Sequence, residues 1–214
     1  MENERALVIG GGGVAGIAWA TGVLAGLADA GVDVTDADFL LGTSAGSVVA
    51  AQITSGAELP ALFRTQVDAA LQTQELRPTE GALTKVFEFG EKLDTEVTDP
   101  AERLRRMGAM ALAADTVTEA ERRPVIEARL PSHSWPEHHL AVVAVSAVTG
   151  ETRLFDRTCG VGLVDAVAAS CAVPGVWPAV TVGDARYLDG GVRSFTNLDL
   201  AGGHARTLVV APMP

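Results

Sequence analysis

Three short glycine-bearing stretches hold the residue types that acyl-transfer chemistry requires. Gly42-Thr43-Ser44-Ala45-Gly46 is a G-x-S-x-G pattern between the apolar run Phe39-Leu40-Leu41 and an apolar segment from Ser47 to Ile53. Glycines two residues before and after a serine suit a sharp strand-to-helix turn, which lifts the hydroxyl out at the carboxyl edge of a sheet. A serine that merely caps a helix between chance glycines has the same local pattern. Gly10-Gly11-Gly12-Gly13-Val14-Ala15-Gly16 lies between the apolar run Ala6–Ile9 and a long apolar segment. Its backbone N–H groups are uncovered, and a following helix adds a positive end, so the loop can hold a phosphate or the oxyanion of an acyl transfer. In the third stretch, Leu188-Asp189-Gly190-Gly191, a carboxyl directly follows a short strand pattern. It is either a base facing a cleft or an ordinary Asp-Gly turn. A free carboxyl titrates near about 3.9, so a base at Asp189 needs burial to raise it.

Two rival chemistries use the same residues. Gly11-x-Gly13-x-x-Gly16 also matches the dinucleotide-binding fingerprint, which would make the chain an oxidoreductase. That reading asks for an acidic residue ending the second strand, whereas Asp33, Asp36 and Asp38 all precede Phe39-Leu40-Leu41. Alternatively, Ser44, Asp189 and His204 follow the chain order of an α/β-hydrolase triad, although His204 sits in a glycine-flanked approach to the last strand. The other histidines, His133, His138 and His139, fall in a Pro/Trp-bearing turn. Cys159 and Cys171 have no metal spacing and are too few for a disulfide framework, so the expected setting is reducing and cytoplasmic.

The elements that must position these residues read as strand–helix–strand–helix at the start: Ala6–Ile9, Ile17–Ala30, Phe39–Leu41 and Ser47–Ile53. Such a βαβα pattern implies a parallel sheet with right-handed crossovers. The Ile17–Ala30 helix is apolar nearly all round and is expected to be buried, with Gly31 as its stop. Helices are expected at 59–75, 82–93, 101–114 and 117–130, broken by Arg77-Pro78, Asp99-Pro100 and Pro124. Leu140–Val148 and Glu151–Phe155 read as a hairpin around Thr149-Gly150, and 164–170 as a short helix. Val180–Val182 and Arg186–Leu188 make a second hairpin, and Thr207–Val210 a final strand.

Composition narrows the class. The 214 residues carry 16 Lys+Arg against 27 Asp+Glu, a formal charge of −11. That balance, with no basic cluster, argues against nucleic acid and against electrostatic docking to anionic membranes. Of the 43 charges, 23 fall in residues 61–130, which therefore reads as a charge-rich helical insert or cover within a single domain spanning 1–214. From Ala6 to Ala28 there are 23 residues without a charge. Consecutive glycines make a poor transmembrane helix, and the acidic Met1–Arg5 segment is wrong for a signal peptide, so a strand, a loop and a helix explain the stretch better.

Taken together, the blocks resemble the patatin-like phospholipases. The resemblance rests on Gly11-Gly12-Gly13-Val14-Ala15-Gly16, Gly42–Gly46 and Asp189-Gly190-Gly191 in that order, with Ala169-Ser170-Cys171-Ala172-Val173-Pro174-Gly175 and Trp177-Pro178 ahead of the last. It implies a three-layer α/β/α sandwich with a mainly parallel central sheet. It implies a Ser44–Asp189 dyad, an oxyanion loop at Gly11, Gly12 and Gly13, and Gly16, Gly42, Gly46, Gly190 and Gly191 as supporting turns. No cofactor and no metal are called for, and the substrates would be lipid or small carboxylic esters, met at most through transient contact with a membrane surface. Relatives usually carry Arg or Lys where this chain has Ala15, which bears on head-group preference and leaves open a degenerate, non-catalytic lipid binder. They also continue beyond the equivalent of Pro214, so the fold is expected to be short at its C-terminal end.

Overall fold

Apolar runs buried on both faces carry no polar alternation, and three such runs build the centre of this protein. The computed structural model describes residues 4–213. Seven strands form one sheet: β1 (Arg5–Ile9), β2 (Phe39–Thr43), β3 (His139–Ser146), β4 (Thr152–Phe155), β5 (Val180–Val182), β6 (Ala185–Asp189) and β7 (Arg206–Val210). Their order is β5-β6-β3-β2-β1-β7, with β4 on the other edge of β3. The β7, β1, β2 and β3 strands run parallel, and β4 and β6 run antiparallel to β3.

One detail of register decides where the chemistry can sit. β4 occupies one edge of β3, so β2 and β6 must share the opposite edge end to end. Thr43, the last residue of β2, stands opposite Val143, and Asp189, the last of β6, stands opposite Ala144. The chain following β2 and the chain following β6 therefore leave from neighbouring rungs of one strand.

Helices flank the sheet, giving a mixed α/β fold. On one face α1 (Gly13–Asp29), α2 (Ala45–Ile53), α6 (Glu119–Arg129) and α7 (Leu163–Ser170) pack with Leu7, Ile9, Leu40 and Val142. Leu7, Ile9, Leu24, Leu40 and Ile126 are all fully or almost fully buried, and each such side chain contributes about 1.5–3 kcal/mol. On the other face Ala6, Val8, Phe39, Leu41, Ala141 and Val143 meet Ala201 of a short 3₁₀ turn, Leu198–Ala201. The uncharged stretch from Ala6 to Ala28 divides into β1, the glycine loop and α1. Among the described residues no helix is long and apolar enough to cross a membrane.

Helix α1 is less enclosed than its composition suggests. It buries a stripe of Ile17, Ala20, Thr21 and Leu24, while Val14 and Trp19 are about half exposed. Its outer side meets α3 (Leu59–Val67), where Phe63 approaches Gly22. α3 itself ends at Val67 rather than near 75, because Asp68 turns extended and its carboxylate accepts from the Ala70 amide. The loop beyond is tied down by Glu75, which pairs with Arg122 and, at 2.6 Å, with Arg129. Burial pushes the Glu75 carboxyl up, but the bonds from Arg122 and Arg129 outweigh it and leave the pKa lowered.

The remaining helices have clear local signals. α4 spans Ala82–Glu96, and α5 (Pro100–Ala113) starts with proline behind an Asp99 cap that accepts from Ala101 N. α6 opens on a capping box between Thr118 and Glu121 and runs on through Pro124, which does not break it. α5 comes down on the end of β3, with Gly108 against the Ala147 carbonyl.

Candidate active site

The Gly42–Gly46 turn is tight for a measurable reason. A Cβ on Gly46 would lie 1.9 Å from the Ile9 carbonyl oxygen, and one on Gly42 would lie 2.5 Å from Ser47 Cα. Only glycine lets α2 start this close to the ends of β1 and β2. Between them Ser44 is held at φ 54, ψ −120, a region costing about 1–3 kcal/mol for a non-glycine residue. Its amide donates to Ser170 Oγ at 2.9 Å, and its carbonyl accepts from the Ser47 amide and hydroxyl at 2.9 and 2.7 Å. The Ser44 side chain makes no capping bond to the helix it precedes, which removes the helix-cap explanation of the motif.

Asp189 ends β6 and is 3% exposed. Its amide donates to the Ala172 carbonyl at 3.0 Å, and its Oδ1 accepts from the Gly191 amide at 2.7 Å. Oδ2 is buried with no hydrogen-bond partner among the described residues. Burial pushes the Asp189 pKa up to about 6, against the opposing pull of the Ser44 hydroxyl and the Gly191 amide. The Ser44 hydroxyl thus lies near enough to act on the carboxyl, yet it falls short of a formed bond to Oδ2. Gly190 and Gly191 press against the Val143 carbonyl and the Asp189 carboxylate, where a Cβ would come within 2.7 and 2.9 Å.

The glycine loop lies next to both. A Cβ on Gly11 would meet Ser44 Cβ at 3.4 Å, and one on Gly16 would meet Ala45 Cβ at 3.5 Å. The Gly10 amide donates to the Val210 carbonyl at 2.9 Å and the Gly11 amide to the Phe195 carbonyl at 2.8 Å. Gly11, expected among the open donors, is therefore already engaged. The Gly12 and Gly13 amides have no partner among the described residues, and they stand at the positive end of α1. The Gly16 amide closes the first helical turn onto the Gly12 carbonyl at 2.9 Å.

The rival readings gain nothing from the geometry. His204 stacks on Phe39, the first residue of β2, and bonds the Ala201 carbonyl through Nδ1 at 2.9 Å. Ser44 follows the other end of that strand, roughly 17 Å away at about 3.3 Å per residue. His139 packs edge-on against the same Phe39, and His133 bonds the Glu127 carbonyl. The acids that a nucleotide site would call on are also at the far edge: Asp36 pairs with Arg5 at 3.0 Å, and Asp38 accepts from the Arg5 amide. Among the described residues no cluster of His, Cys, Asp and Glu is arranged to hold a metal ion.

Three residues join the site to which the sequence assigned no role, although Ser170 lies in the Ala169–Gly175 block. Ser170 holds the Ser44 amide from the end of α7. Phe195, partly exposed, places its ring between Gly11 and Gly191. Asn197 is fully buried and bonds Thr43 and Gly190. A cavity of about 230 Å³ flanks the first turns of α1, lined by Val14, Ile17, Leu62, Leu71 and Leu130 among others. A larger one, about 470 Å³, lies among β4, β6 and the start of α7, and neither cavity is lined by Ser44, Asp189 or Gly11–Gly13.

A family model described as patatin-like phospholipase matches residues 7–201. Among solved structures, the crystal structure of VipD from Legionella pneumophila is similar at a TM-score of 0.49 and 14% identity, over 91% of this chain and 47% of that one. The chain thus spans about half the length of that structure. No curated protein matches it in sequence.

Proposed function

Because the chain belongs to the patatin-like phospholipase family, whose members are lipid acyl hydrolases, we propose that it cleaves carboxylic esters of lipids with a Ser44–Asp189 dyad. The observation that carries this reading is the unpartnered, buried Oδ2 of Asp189 beside a strained serine whose hydroxyl is not spent on a helix cap. With a pKa near 6, Asp189 is ionised at neutral pH and still basic enough to take a proton.

Asp189 removes the Ser44 proton as Oγ bonds to the ester carbonyl carbon. The negative charge moves to the carbonyl oxygen, where the Gly12 and Gly13 amides receive it; Gly11 contributes by holding the loop on Phe195. Collapse of the tetrahedral species breaks the bond to the alcohol, which leaves with the proton from Asp189. Water then gives a proton to Asp189 and attacks the acyl-serine. The second collapse returns that proton to Ser44 Oγ and frees the acid. The cavity along α1, whose wall mixes Val14, Ile17, Leu62, Leu71 and Leu130 with polar residues such as Gln66 and Thr73, is the place this reading gives an acyl chain, since Val14 directly follows the Gly11–Gly13 loop. With Ala15 in place of a cation, head-group charge contributes little to binding, so neutral lipid esters are accepted as readily as phospholipids.

The test is hydrolysis of a p-nitrophenyl acyl ester and of phosphatidylcholine by the wild type, Ser44→Ala, Asp189→Asn and His204→Ala. Ser44→Ala and Asp189→Asn are expected to lose on the order of 10³-fold or more in kcat, with His204→Ala close to wild type. Full activity in Ser44→Ala overturns the reading. A collapse in His204→Ala restores the triad, and lipid binding without any turnover marks a degenerate member.

A further inference from the structure

The loop after Asp189 contains one side chain that reaches both halves of the site. Asn197 is 0% exposed and sits at φ 50, one of two non-glycine residues with positive φ among those described; the other is Ser44. Its Nδ2 donates to Thr43 Oγ1 at 3.1 Å, to the Gly190 carbonyl at 3.1 Å and to the Ser194 carbonyl at 2.7 Å. Thr43 directly precedes Ser44, and Gly190 directly follows Asp189. The sheet ladder does not join these two residues to each other, because β2 and β6 each pair separately with β3.

The orientation of the amide is enforced. Asn197 Oδ1 accepts from Arg193 Nη1 at 2.8 Å, and a guanidinium can only donate, so the NH₂ group must face the carbonyls. Arg193 is held in turn by a two-pronged pair with Asp199, at 2.9 and 2.5 Å. A buried asparagine in a left-handed conformation, with every polar atom used, costs backbone strain that a structureless loop has no need of.

We propose that Asn197 is a positioning residue that sets the separation of Ser44 and Asp189, with the Arg193–Asp199 pair locking its amide. The inference rests on the dyad reading above. Without Asn197, the ends of β2 and β6 are free to drift by fractions of an ångström, and proton transfer is sensitive to displacements of that size.

Asn197→Gly is the informative variant, because glycine tolerates the positive φ while deleting the bridge. Activity is expressed per active site, counted by fluorophosphonate titration, so that loss of folded protein does not count. The expected result is a fall in kcat of about 10- to 100-fold with KM nearly unchanged. Arg193→Ala, at a partly exposed position, should show a smaller fall in the same direction. A second readout needs no turnover: the Asp189 carboxyl carbon, followed by NMR, should titrate below its wild-type value in Asn197→Gly as water reaches the pocket. The neighbouring Cys171 thiol, pushed up to about 12 by burial, does not titrate in that window. Unchanged kcat per labelled site together with an unchanged Asp189 titration would overturn the inference. A wild type that neither labels nor turns over ester refutes the hydrolase reading, and the NMR titration then decides the role of Asn197 by itself.

Discussion

Asp189→Asn should gain stability relative to the wild type as pH rises, while abolishing activity. Asp189 titrates at 3.8 when free and near 6 in the fold, so the native state holds this proton more tightly than the unfolded chain does. A raised acid pKa means that stability falls as pH climbs between those two values and levels off above the higher one. The shift of roughly two pH units corresponds to about 3 kcal/mol that the wild type loses between pH below 4 and pH 7. Asparagine has no charge to desolvate and loses nothing over that range. Its own unpaired N–H adds a constant offset, so the diagnostic quantity is the change with pH in the stability difference between variant and wild type. Above pH 4, where the unfolded carboxyl is already more than half ionised, about 2.4 kcal/mol of this remains, and for a chain of this size the gap in Tm widens by about 6 °C. Scanning calorimetry of both proteins at pH 4, 5, 6, 7 and 8 measures it. A gap that does not widen from pH 4 to pH 7 refutes the claim that burial sets the Asp189 pKa.

Two further outcomes follow from the same geometry. The logarithm of kcat/KM should fall with unit slope below about pH 6, where Asp189 becomes protonated, and pH–rate profiles on a neutral ester check it; a limb near 4 contradicts the buried base. Gly46→Ala forces a Cβ to within 1.9 Å of the Ile9 carbonyl, so α2 must back away from β1. Urea unfolding should register a loss of about 3 kcal/mol or more, with Ser44 labelling lost alongside.

What could be read from the chain beforehand follows the range of the interactions. Ala6–Ile9, Phe39–Leu41 and the 140–155 hairpin signal themselves through nearest neighbours, and each forms. Gly42 and Gly46 are likewise legible, because the close approaches of Gly42 to Ser47 and of Gly46 to Ile9 require glycine at those spacings. The partners of interactions across the chain could not be read, even where, as at Ser170, the residue lies in a motif block. Asn197 is one polar residue in a polar loop, and its partners Thr43 and Gly190 lie 154 and 7 positions away. Ser170 grips the Ser44 amide across 126 positions. Engagement of the Gly11 amide depends on where Phe195 returns, which no local pattern gives. α1 reads as buried from its lack of charge, yet Val14 and Trp19 face outward because α3 covers only part of its outer side. α3 stops early at Asp68, where a local side-chain bond outcompetes the next helical turn.

The central claim is that Ser44 is the nucleophile. Its most direct test is peptide mapping by mass spectrometry after reaction with a fluorophosphonate. The account predicts a single adduct on Ser44 in the wild type and none in Ser44→Ala. An adduct on another residue, or no adduct from a folded wild type, contradicts it.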